Sequence, residues 1–165
     1  NRNNTIQNTR NILCFTDLGE PKISQLENPS WISGGYTVPD NFHNSLYNNI
    51  NTNSNVRNYV NASNELSGPN YNMEQGIEFE KVENARMLGQ NEFSYNSLLG
   101  FISLNQSLNN DQVLGVAYQY TYAGKTYQVG ELSTDGVAGQ SALFLKLLKS
   151  INTTAYSGYL NTNFL

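Results

Sequence analysis

The residues of this chain best equipped for chemistry are four carboxylates close in sequence, Glu74, Glu78, Glu80 and Glu83, and the single histidine, His43. Glu78 and Glu80 stand two apart, so in a strand they share one face, as paired-carboxylate hydrolysis of a glycosidic bond would need. Ile77 and Phe79 alternate with them, however, and apolar-in, charged-out alternation is ordinary for a half-buried strand. A solvated outer face is the expectation for both glutamates. His43 lies in an Asn-rich stretch with no cysteine partner and no HExxH spacing, which excludes a zinc site of the usual His and Cys type. No Gly-x-Ser-x-Gly elbow accompanies it, so a Ser-His-Asp triad is not expected. No DxDxDG calcium loop occurs, and Gly34-Gly35 lack the Lys-Ser/Thr of a phosphate-cradling loop. Asp135, in Ser-Thr-Asp-Gly, reads as a turn residue. The chain is expected to be non-enzymatic, without catalytic residues, metal or cofactor.

The clearest arrangement is aromatic. Val116, Tyr118, Tyr120 and Tyr122 share one parity and Ala117, Gln119 and Thr121 the other, the period of two that marks a strand. Ala123-Gly124 supplies a turn, and Tyr127 and Val129 continue on a return strand, against Thr126 and Gln128. Tyr118, Tyr120, Tyr122 and Tyr127 therefore form the candidate interaction surface, because tyrosine offers large, rigid contact area with a polar tip. Such a row suits a protein contact or the stacking of a sugar. Its competing role is core, packed beneath Ser141–Ile151, since a sheet face needs an apolar cover.

Several elements must position that hairpin. Ile12 to Phe15 is a short apolar strand ending at the turn-like Asp17-Leu18-Gly19-Glu20-Pro21. Trp31 reads as a core anchor. Between Asn41 and Asn64 the spacings Leu46 to Ile50 and Val56 to Tyr59 to Val60 allow two short helices, with Asp40 a candidate N-cap for the first. A long ordered loop fits the same stretch, since Asn is a poor helix former. Gly76 to Leu88 opens as a strand, and Phe93–Tyr95 with Phe101–Leu104, joined through Asn96 to Gly100, make a second hairpin. Residues 141–151 fit both periods. As a helix, Leu143, Phe144, Leu147, Leu148 and Ile151 share a face; as a strand, Leu143, Leu145 and Leu147 alternate almost as well, and the abundance of Leu and Lys favours the helix. Several strands close in sequence predict a mostly β or α+β fold, an antiparallel sheet of hairpins with one or more short helices.

Length and composition narrow the function classes. One domain spanning residues 1–165 is expected, because 165 residues support one real core and not two comfortable ones. The net charge is -4 with only nine Lys and Arg, so nothing builds a phosphate-tracking stripe and nucleic acid is not an expected partner. Charged residues make up 13%, well below the roughly 25% of average domains, with asparagine filling the difference. Cys14, between Leu13 and Phe15, reads as a buried small hydrophobe. The sequons at Asn3, Asn61, Asn105 and Asn152 follow from the abundance of Asn. No apolar run reaches the ~18 residues of a spanning helix, and too few alternating ~10-residue segments occur to close a barrel, so no direct membrane insertion by this segment is expected. The start at Asn1-Arg2, with no signal-peptide pattern, reads as a fragment of something larger.

Four pieces in order, GIEFEKVENARML (Gly76 to Leu88), FSYNSLLGFISLNQSL (Phe93 to Leu108), NNDQVLGVAYQYTYAGKTYQVGELSTDG (Asn109 to Gly136) and LFLKLLKS (Leu143 to Ser150), resemble the recurring soluble segments of the SprA/Sov family. CFTDLGEP (Cys14 to Pro21) and NPSWI (Asn28 to Ile32) resemble it more weakly. The likeness is strongest over residues 76–150, and the tail after Ser150 departs from it. Members of that family are giant outer-membrane proteins that form the translocon of the type IX secretion system and support gliding motility. The resemblance implies a non-enzymatic structural or docking module, associated with the outer membrane on its periplasmic or cell-surface side. The partners it implies are other domains of the same protein or other secretion-system proteins. The alternative is a secreted carbohydrate-binding or adhesion module using the Tyr-rich face.

Overall fold

The computed structural model describes residues 9–20 and 38–152. Among these residues eight strands and three short helices follow one another as β1 (Thr9–Phe15), α1 (Leu46–Asn51), α2 (Ser54–Arg57), α3 (Ala62–Leu66), β2 (Phe79–Arg86), β3 (Phe93–Asn96), β4 (Phe101–Leu104), β5 (Leu114–Val116), β6 (Tyr118–Tyr122), β7 (Lys125–Val129) and β8 (Leu143–Lys149). The fold is mostly β with minor helix, an α+β arrangement as the residue pattern predicts. One four-stranded sheet has the order β2-β1-β8-β5, and β3-β4 and β6-β7 are separate two-stranded hairpins. Among the strands of the described residues, each pairing is antiparallel except that of β1 with β8, where Leu13 opposes Phe144 and Phe15 opposes Lys146. Trp31 and the Asn28–Ile32 piece lie outside the described residues.

The central pair of strands sets the core. Leu13, Phe15, Phe79 and Phe144 enter one apolar cluster, which Leu46, Ile50, Val56, Ala62 and Leu66 of the three helices cover. Ile12, Cys14, Leu143 and Leu147 enter a second. The sheet is therefore buried on both faces at β1 and β8. Burial lifts the Cys14 thiol to about 12, with Glu80 adding to the effect, so this cysteine is an inert packing residue.

That double burial corrects the helix favoured for residues 141–151, because Leu143–Lys149 is strand β8. Leu143, Leu145 and Leu147 have one parity and Phe144 the other, and apolar partners await both. A central strand reads as an unbroken apolar run, in which the helical period appears by coincidence. Leu148 and Ile151, needed for the helical face, are exposed.

Short helices do form in the Asn-rich region, three instead of two. Asp40 is not the N-cap of the first: Ser45 holds that place, while Asp40 Oδ1 accepts from Phe42 N at 2.8 Å in an Asx turn. Asn53 caps α2, accepting from Asn55 N at 2.9 Å. The helix ends at Arg57, so Val56 is buried while Val60 is exposed, and Tyr59 lies half-buried beneath Lys81, whose Nζ is 4.3 Å from the ring centroid.

Candidate interaction surface

β6 and β7 form the hairpin that the tyrosines predict, with Tyr120 opposite Tyr127, Tyr118 opposite Val129 and Tyr122 opposite Lys125. Ala123 and Gly124 both have positive φ, 50° and 76°, the backbone that a two-residue hairpin loop of type I′ requires. Tyr120 and Tyr127 stack with centroids 5.4 Å apart, and Tyr118 lies 6.0 Å from Tyr120. The four tyrosines expected to share a face do so.

β5 and β6 are separate strands, divided at Ala117. β5 joins β8 in the sheet, and the chain then leaves to build the hairpin. Gly130 makes the close approach at this corner: its φ is +75°, and a Cβ there would meet the Cβ of Ala117 at 3.0 Å. Gly19 closes the other side, with φ +73° and no room for a Cβ beside Val129 at 2.8 Å.

The segment from Pro39 to Asn44 straps the hairpin down. Tyr120 Oη donates to the Pro39 carbonyl at 2.6 Å, Asn41 N to the Gln128 carbonyl at 2.8 Å, and Gln128 N to Asp40 Oδ2 at 3.2 Å. Asn41 also accepts from Gly130 N at 2.8 Å and donates to the Gly130 carbonyl at 3.0 Å. His43 is buried with its ring 6.3 Å from that of Tyr127; desolvation lowers its pKa against the opposing pull of Asp40.

Leu143–Lys149 of the expected cover is a strand of the four-stranded sheet, and its buried side chains enter the two apolar clusters, which do not include the four tyrosines. The Pro39–Asn44 strap covers them in part. Exposure is graded: Val129 is buried, Tyr120 and Tyr127 are half-buried, Tyr118 is 37% exposed and Tyr122 at the turn 59%. Desolvation pushes the Tyr118 hydroxyl up to about 12, with Glu20 and Tyr120 contributing, so it stays a neutral hydrogen-bonding tip at physiological pH. On the opposite face Gln119 faces Gln128 and Thr121 faces Thr126. The arrangement is a fixed aromatic ribbon whose outer end is open to a partner.

The carboxylates part company. Glu80 is buried, accepting from Ser150 Oγ at 2.6 Å and Ile151 N at 3.1 Å, which corrects the expected solvated position. Its partners follow the end of β8, seventy residues downstream, and no local pattern announces them. Glu78 precedes β2 and accepts from Glu74 N at 2.8 Å. Asp135 closes its turn as expected, accepting from Leu132 N at 2.8 Å and Gln128 Nε2 at 2.7 Å.

Asp17 is a buried carboxyl that composition does not single out. Its Oδ2 has no hydrogen-bond partner among the described residues, and burial raises its pKa to about 6 against the counter-pull of Lys146, with Glu20 and Glu78 adding to the rise. Because the folded value lies above the unfolded value of 3.8, Asp17 contributes most to stability below about pH 4, and that contribution is lost as pH rises through about 6. Asp17→Asn should flatten urea stability between pH 4 and 7 and make the chain more stable than wild type at pH 7, by about 1–2 kcal/mol. Equal pH profiles for the two proteins would refute this.

Among the described residues no cluster of three or more His, Cys, Asp or Glu is disposed to hold a metal, and no helix is long and apolar enough to cross a membrane. Compared with protein-family models and with curated proteins, the chain matches none. Fold and surface together define an α+β fold that presents an aromatic hairpin.

Proposed function

We propose that this chain is a non-enzymatic structural or docking module of an outer-membrane protein-secretion translocon, of the kind that supports gliding motility. It meets other domains of the same protein, or other secretion components, through the Tyr118, Tyr120, Tyr122 and Tyr127 face. The observation that carries the contact is the strapped hairpin: Tyr120 is anchored on Pro39 while Tyr118 and Tyr122 stay open on a rigid ribbon. Pre-organised aromatic area binds with little ordering cost. The placement in a translocon is supported by the resemblance over residues 76–150.

Tyr118→Asp with Tyr122→Asp, introduced into the parent gene, should reduce the release of secreted cargo into the medium at least tenfold. Tyr122→Asp alone, at the 59% exposed turn position, should leave cellular amount and thermal unfolding close to wild type, so a loss of secretion in that single variant separates contact from folding. Unchanged secretion would overturn the reading. Quenching of tyrosine fluorescence by oligosaccharides, lost in the double variant, would favour a carbohydrate-binding module in its place.

A further inference from the structure

A second surface lies on the β3-β4 hairpin. Tyr95 and Ile102 oppose one another on one face, Phe101 lies on the other, and the connecting loop carries Leu98 and Leu99. Tyr95 is 73% exposed, Leu98 91% and Leu99 68%, and Met87 at the base is exposed as well. Large apolar groups contiguous over a projecting element mark a contact site.

The hairpin is built to hold this apolar tip in place. Asn96 Oδ1 accepts from Leu98 N at 3.0 Å and Leu99 N at 2.9 Å, and the Asn96 carbonyl accepts from Gly100 N at 2.8 Å. Three of the four loop amides are therefore satisfied internally, so that dehydrating the tip strands few donors. At the base Glu92 grips Arg86 with both oxygens, at 2.6 and 2.9 Å, and accepts from Gly89 N at 2.7 Å.

Three features decide what covers it. From Phe93 to Asn110 no residue is charged, so an anionic lipid surface or a polyanion finds nothing to pair with. Among the described residues no third strand joins β3-β4. The Asn105 amide donates to the Glu92 carbonyl at 2.9 Å, and ladder alternation then turns the amides of Phe93, Tyr95, Ile102 and Leu104 outward. In hydrocarbon those groups would go unpaired, whereas a protein strand pairs them. Finally, β3 and β4 have only four residues each, and face-to-face stacking of two such short ribbons would cover one face of each hairpin while leaving the other face and the Leu98-Leu99 tip in water. A cleft that encloses both faces and the tip uses much more of the apolar surface.

We propose that the β3-β4 hairpin inserts into an uncharged apolar cleft of a partner protein, which seats Leu98 and Leu99 in a pocket and pairs a strand with an open hairpin edge. This surface is separate from the tyrosine hairpin, and the proposal stands whether or not the chain serves secretion. The test places photoreactive benzoylphenylalanine at position 99 of the full-length protein in its native cells, with a matched probe at position 132, and maps cross-linked residues by mass spectrometry. Products should concentrate on one protein, at uncharged side chains beside a strand. Leu98→Asp should lower their yield at least tenfold, and Ile102→Pro, which removes an outward amide at an edge that tolerates proline, should do the same. Circular dichroism should show both variants folded. Products with lipid alone, with a second copy alone, or spread over many proteins as at position 132 would overturn the proposal, as would yields unaffected by either substitution.

Discussion

Glu131→Ala is expected to cost about 3–5 kcal/mol, which for a domain of this size lowers the thermal midpoint by roughly 6–20 °C. Glu131 follows β7 at the base of the tyrosine hairpin and is buried. Its carboxylate grips the Arg57 guanidinium with both oxygens, at 2.6 and 2.7 Å, and accepts from Tyr47 Oη at 3.0 Å and Phe144 N at 2.9 Å. Its own amide donates to the Phe144 carbonyl at 2.8 Å. One side chain thus ties α1, α2 and β8 to the hairpin. Burial and this carboxylate together push the Tyr47 hydroxyl up to about 12, so it remains a donor at any ordinary pH. Truncation leaves a hydroxyl and a backbone amide without their acceptor and a mostly buried cation that keeps the Ala142 carbonyl and Asn51 Oδ1 but loses its counter-charge, and that uncompensated charge dominates the cost. Thermal unfolding followed by circular dichroism measures it. The double variant Arg57→Met with Glu131→Leu should recover more than half of the loss, because it removes both charges together. If the double variant is no more stable than Glu131→Ala, stranded charge is not the cause.

Phe144→Ala should have a comparable effect, about 3–5 kcal/mol in urea unfolding. Phe144 is fully buried, edge-on to Phe15 with centroids 5.8 Å apart, and lies beneath Arg57, whose guanidinium carbon is 3.7 Å from the ring centroid. Removing the ring opens a cavity between sheet and helices and takes away the surface on which Arg57 rests. Phe144 and Glu131 hold the same arginine, so their losses should not add. The Phe144→Ala, Glu131→Ala double variant should be more stable than the summed single losses predict by about 1 kcal/mol, whereas strict additivity would separate the two roles.

The two hairpins were the most legible parts of the chain because their causes are local. Gly100 and the Ala123-Gly124 pair carry the positive φ that each turn needs, and along β6 and β7 the residues alternate cleanly since the Gln119, Thr121 and Thr126 face of that ribbon is open to water. β8 was not legible as a strand for the converse reason: apolar neighbours on both faces erase the alternation. Glu80 leaves the solvated face that alternation predicts because the donors to its carboxylate, Ser150 Oγ and Ile151 N, arrive from beyond β8. Asp40 forms a local turn in place of the expected helix cap, and its second oxygen accepts from Gln128 of the hairpin.

By itself the sequence determined the strand-rich class, both turns, the burial of Cys14 and the common face of the four tyrosines, all consequences of spacing within a dozen residues. Only the tertiary structure decided that β1 lies parallel to β8, that Glu131 locks Arg57, and that the Pro39–Asn44 strap, rather than residues 141–151, covers half of the tyrosine row. Those outcomes depend on segments from distant parts of the chain competing for the same apolar faces and hydrogen-bonding groups, and that competition is settled only when the whole core is packed.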